Sequence, residues 1–113
     1  MAGNVITLTV NGLDLKETDT ALTFNGTNQY AQAAESDLFD ITGAITIEAW
    51  VYQTGQVPSI WNLVVNKEDS YELGTHGGNW KYALRGNAGW AGVDTLIPAK
   101  LNVWQHVAIT RAA

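Results

Sequence analysis

The chain has 113 residues, 46% of them apolar, and a formal net charge of −5, which suits one domain around a single modest core. No run of about eighteen apolar residues occurs, so no membrane-spanning helix is encoded, and the absence of cysteine excludes disulfides and thiolate zinc sites. Glu17, Asp19, Glu35, Asp37, Asp40 and Glu48 fall in a stretch without Lys or Arg, an acidic half that argues against nucleic-acid binding through a basic face.

The first residues, MAGNVITLTV, have neither a basic n-region nor an apolar h-region ending in a small-residue cleavage site, so no secretory signal peptide is expected. In ITLTVNGLDLKE the Asn11-Gly12 pair predicts a type I′ hairpin, because both turn residues must take positive φ. That loop sets Val10 opposite Leu13 and Leu8 opposite Leu15. Residues 1–20 are read as an N-terminal hairpin or docking segment, and 21–113 as the main domain. In ALTFNGTNQYAQA a second Asn-Gly, Asn25-Gly26, suggests another tight hairpin. Asn25-Gly26-Thr27 also fits a glycosylation sequon, but turn chemistry accounts for it better.

ESDLFDITG reads as an acidic loop and AITIEAWVY as the clearest strand. Ile45, Ile47, Ala49 and Val51 fall on one of its faces, and Thr46, Glu48, Trp50 and Tyr52 on the other. After Pro58, IWNLVVN, SYELGT and KYALRG are further strands, with Gly, Asn, Asp, Pro and Ser in the spacers. In LNVWQHVAIT, Val103, Gln105, Val107 and Ile109 alternate with Trp104, His106, Ala108 and Thr110. Short strands separated by turn signals predict an all-β antiparallel sandwich or barrel.

Four segments carry a family resemblance: ALTFNGTNQYAQA, ITGAITIEAWV, LVVNKEDSYELG and WQHVAITR, in that order over about residues 21–111. They resemble laminin G-like domains of the concanavalin A-like lectin/glucanase superfamily. The resemblance implies a jelly-roll β-sandwich of two curved antiparallel sheets that binds glycans or proteins and is usually non-enzymatic. In that family the W-x-H-V-A strand lies near mid-domain. Sandwiches of this type run to about 200 residues, so the chain is expected to be the first part of one, with its last strand completed by further sequence or by another chain.

Retaining glucanases of the superfamily place two carboxyls about 5 Å apart on a Glu-x-Asp-x-(x)-Glu strand. Here Glu35, Asp37 and Asp40 lack the last Glu and lie in a loop, and Glu48 stands alone on its strand. His76 and His106 have no nucleophile motif nearby. No enzymatic activity and no cofactor are expected. Calcium is common at the rim of laminin G-like domains, but no residue here is assignable to it. Asn25, Asn28 and Gln29 replace the acids expected after the first turn, and Lys67-Glu68-Asp69 reads as a charged turn.

Burying one tryptophan removes about 150–250 Å² from water, worth roughly 4–6 kcal/mol, so most of the five should be buried. Trp50, Trp104 and Trp61 are assigned to packing. Trp80 and Trp90, in the glycine-flanked segments HGGNWKY and GNAGWAGVD, are expected in loops as exposed ligand-binding aromatics. Asn79, Tyr82 and His76 are taken as their neighbours in that site.

The expected role is therefore a lectin-like surface protein that recognises a glycan or a surface protein, with no metal, nucleic-acid or membrane partner. A capsid decoration, tail or fibre component of a phage virion, working as a homo-oligomer or larger assembly, accounts for an external-type fold without signal peptide or cysteine. The alternative is a carbohydrate-binding fragment of a bacterial secreted or surface protein. A glycoside hydrolase is disfavoured by the carboxylate pattern.

Overall fold

The computed structural model describes residues 8–10 and 21–113. The chain divides into two compact units, Met1–Asp37 and Leu38–Ala113. In the first, strand β1 (Leu8–Val10) pairs antiparallel with β2 (Ala31–Ala33). The expected Asn11-Gly12 hairpin, with its Val10–Leu13 and Leu8–Leu15 pairs, lies outside the described residues.

The second Asn-Gly does not make the expected tight hairpin, since residues 21–30 contain no strand. Asn25 organises the turn instead. Its Oδ1 accepts the backbone N–H groups of Thr27, Asn28 and Gln29 at 2.9, 3.1 and 3.3 Å, and Gly26 takes φ 71°. A side chain that satisfies three successive amides offers the backbone an alternative to a ladder.

The second unit is an antiparallel β-sandwich, as the alternation predicted. One sheet pairs β3 (Ile45–Tyr52) with β8 (Trp104–Arg111). The other runs in the order β4 (Asn62–Lys67), β5 (Tyr71–His76), β6 (Asn79–Gly86), β7 (Gly89–Pro98). Among the described residues the non-strand structure includes one short 3-10 turn at Asp37–Phe39 and no α-helix.

Tight turns set the register of the larger sheet. Gly77 and Gly78, at φ 64° and 85°, make a two-residue turn between His76 and Asn79, a conformation that residues with a Cβ resist. Asn87-Ala88 turns β6 into β7, with Gly86 opposite Gly89. This last strand is the element that the sequence reading placed in a loop. Gly89 and Gly92 weaken its intrinsic preference, and the ladder to β6 overrides that deficit.

Both sheets turn one face inward. From β3 and β8 come Ile45, Ile47, Val107 and Ile109; from the facing sheet come Val65, Tyr71, Leu73, Tyr82 and Leu84. Ile41 also packs against this cluster. Each fully buried Ile or Leu contributes about 1.5–3 kcal/mol. Asn62 braces the preceding loop, its Nδ2 donating to the carbonyls of Val57 and Ile60 at 3.0 and 3.1 Å. The packing of Ile45 and Ile47 into the core cluster fixes which side of β3 faces outward.

Candidate functional site: an aromatic face on the two-stranded sheet

Because Ile45, Ile47, Ala49 and Val51 fill the inner side of β3, period two forces Thr46, Glu48, Trp50 and Tyr52 outward. The same holds on β8, where Val107 and Ile109 point in, and Trp104, His106, Ala108 and Thr110 point out. The register then sets Tyr52 opposite Trp104, Trp50 opposite His106, Glu48 opposite Ala108 and Thr46 opposite Thr110. Three large aromatic side chains are open to solvent, Trp50 at 68%, Trp104 at 51% and Tyr52 at 45% exposure. The expectation that Trp50 and Trp104 are packing residues is therefore corrected.

The rings form a two-by-two group. Trp50 and His106 have centroids 5.1 Å apart and tilted by 50°, and Tyr52 and Trp104 stand 5.5 Å apart at 59°. Tilted contacts at this distance are favourable ring pairings, so the group is held as a surface. A polar strip continues along the same face. His106 Nε2 lies 3.5 Å from Glu48 Oε2, and the hydroxyls of Thr46 and Thr110 are 3.4 Å apart. Ring faces offer stacking to C–H-rich surfaces, while carboxylate, imidazole and hydroxyl groups offer hydrogen bonds beside them.

The sequence-predicted site is divided by the alternation of β6. Trp80, Tyr82 and Leu84 share the inner face, with Trp80 only 4% exposed and Tyr82 packed against the core cluster. Trp80 is thus not an exposed loop aromatic: it is the second residue of a strand that begins straight after the glycine turn. Its indole Nε1 is buried without a hydrogen-bond partner. Asn79 lies on the outer face with His76 opposite it, and Trp90 lies opposite Arg85. Trp90 is 41% exposed but sits on β7. From Asn79 to Arg85 the strand advances about 20 Å, so His76 and Trp90 occupy opposite ends of the sheet and do not converge.

Around Asn79 the polar side chains are mutually engaged. Asn79 Nδ2 donates to Asp94 Oδ1 at 3.1 Å, and Lys81 Nζ lies 3.1 Å from Asp94 Oδ2. The backbone N–H of Leu96, then Lys81 and Asn79, hold the Asp94 carboxyl below its ordinary range. His76 is partnered by Trp61, with centroids 6.0 Å apart. In the Asn25 loop, Asn25 Oδ1, Asn28 Oδ1 and Gln29 Oε1 each accept a hydrogen bond from within the loop. Among the described residues no three His, Asp or Glu side chains group as a metal site.

The signal for the aromatic face was present in the sequence. Trp50 and Tyr52 alternate with a continuous apolar set and share their side with Thr46 and Glu48, the composition of a solvent-facing row.

Residues 25–113 match the family model Laminin_G_3, described as concanavalin A-like lectin/glucanases superfamily. No curated protein and no solved structure matches the chain.

Proposed function

The chain belongs to the Laminin_G_3 family of the concanavalin A-like lectin/glucanases superfamily, and from that premise we propose that it is a non-enzymatic recognition domain that binds glycans on the outer face of β3 and β8. The observation that carries this reading is the grouping of Trp50, Tyr52 and Trp104, all exposed, on one rigid ladder beside Glu48 and His106. A pyranose presents one face of C–H groups and a rim of hydroxyls. The indoles would stack on the first, while the carboxylate and imidazole would bond the second.

Against a hydrolytic role stand the carboxylates. Glu48 shares its face with His106 and no second acid, and Asp40 is paired with Lys67 at 3.1 Å. Retaining hydrolysis needs two carboxyls about 5 Å apart with one free to protonate a leaving group.

The test is a glycan array followed by tryptophan-fluorescence titration of the best hit. Wild type should bind and quench saturably, and the Trp50→Ala/Trp104→Ala variant should lose binding while keeping its far-ultraviolet circular dichroism. Undiminished binding by that folded variant, or no hit on a broad array, would sink the proposal.

A further inference from the structure

We infer that a cavity at the far end of the sandwich binds a carboxylate carried by a sugar-sized ligand, a hexuronate being the simplest chemistry that fits. The cavity measures about 400 Å³ and is lined by Thr42, Asp69, Arg85, Gly86, Asn87 and Arg111, within the size range of small-molecule sites. It is separate from the aromatic face. Arg111 pairs with Ile45 at one end of the β3–β8 ladder, and Trp104 pairs with Tyr52 at the other, about 23 Å away at strand rise.

Arg111 carries the argument. Its Nε donates to the carbonyl of Gly43 at 2.8 Å and its Nη2 to the carbonyl of Ile41 at 2.9 Å, which fixes the plane of the guanidinium. Two neutral carbonyls leave its positive charge uncompensated, and among the described residues it has no acidic partner. A guanidinium has five N–H donors, so these two bonds leave three for a ligand. Fixed planar donors of this kind match a carboxylate in two-point geometry.

Arg85 completes the charge balance. It pairs with Asp69, which the β4–β5 turn holds at φ 62°, so two guanidinium groups face one carboxylate in a chain whose net charge is −5. The residual positive charge would attract an anion against the overall field. Thr42 and Asn87 then offer a hydroxyl and an amide to sugar hydroxyls. A purely structural Arg111, clamping the 41–43 turn, would need only its carbonyl bonds and no ligand.

The experiment is nitrogen-15 NMR of the arginine Nε–Hε groups in the full chain, titrated with sodium glucuronate, glucose, sodium acetate and sodium sulfate. Glucuronate should shift the Arg111 and Arg85 signals saturably, glucose should not, and acetate and sulfate should bind more weakly. Arg111→Lys should weaken glucuronate binding roughly tenfold or more, as expected for loss of charge-assisted hydrogen bonds, and Asp69→Asn should strengthen it. If Arg111→Lys fails to fold, Asn87→Ala in the β6–β7 turn serves: it should weaken glucuronate relative to acetate. No saturable shift, equal response to sulfate, or equal affinity for acetate would overturn the assignment. None of these results depends on ligand binding at Trp50 and Trp104.

Discussion

Trp50 and His106 face each other across the β3–β8 ladder with ring centroids 5.1 Å apart, on the solvent side of a sheet whose other side carries Ile47 into the core. One residue step along β3 thus separates the candidate binding surface from the packing that holds it. Substitutions on the two sides should be separable in effect.

Trp104→Ala removes a side chain that is half open to water, so it should cost less than about 1 kcal/mol of stability. Ile47→Ala empties a buried site and should cost about 2–4 kcal/mol. Urea denaturation of both variants checks the contrast, and a large loss for Trp104→Ala would mean that its face is packed in solution.

Trp80 is buried with an indole N–H that has no acceptor. Trp80→Phe gives up some volume but also removes an unsatisfied donor, whose burial costs about 1–3 kcal/mol. The two effects should nearly cancel, leaving a change within about 1 kcal/mol, whereas Trp80→Ala should cost about 3–5 kcal/mol. Thermal melts of the pair decide it, and a large loss for Trp80→Phe would point to an acceptor such as a buried water.

Gly74 lies where β4 crosses closest. A Cβ there would stand 2.5 Å from the Asn62 carbonyl oxygen and 3.0 Å from the Leu63 Cα, both backbone atoms that cannot rotate away. Gly74→Ala should therefore destabilise by about 1–3 kcal/mol and loosen the β4–β5 ladder. Hydrogen exchange should show faster exchange at Val65 and Leu73, while protection in the β3–β8 pair is retained.

Asp94 and Glu72 should respond to acid in opposite senses. The Leu96 amide, Lys81 and Asn79 hold the Asp94 carboxyl low, so its contribution is present above the unfolded carboxylate range and is lost as pH falls through the folded value. Burial, and then the charge of Glu68, push the Glu72 carboxyl up. Ionised Glu72 therefore opposes folding at neutral pH, and that cost disappears as pH falls below its unfolded value. Asp94→Asn should lower the melting temperature at neutral pH and converge with wild type in acid. Glu72→Gln should raise it at neutral pH and likewise converge. Melting curves from neutral pH into acid read both signs.

Much of the architecture was legible residue by residue. Ile45 to Tyr52 is a strand with the inner and outer rows that its alternation set, and Val103 to Thr110 differs from the observed β8 by one residue at each end. These elements follow from local rules, since side chains alternate on a strand and apolar rows seek cover. The same rule, applied to the turn Gly77-Gly78, would have turned Trp80 inward. The glycines around it instead suggested a loop, because local propensity says nothing about a partner strand. Gly89 to Pro98 was lost for that reason, as its order comes from pairing with β6.

By itself, the sequence determined the all-β class and the absence of cysteine chemistry, because composition and period two need no knowledge of neighbours, while the family came from the resemblance of four ordered segments and the match over residues 25–113. Only the tertiary structure decided which aromatics meet water and which charges meet each other. Trp50 lies beside His106, and Arg111 and Arg85 line one cavity, although each pair is far apart in the chain. Such contacts depend on strand order and register, which cross-strand packing selects after the local pattern has been satisfied.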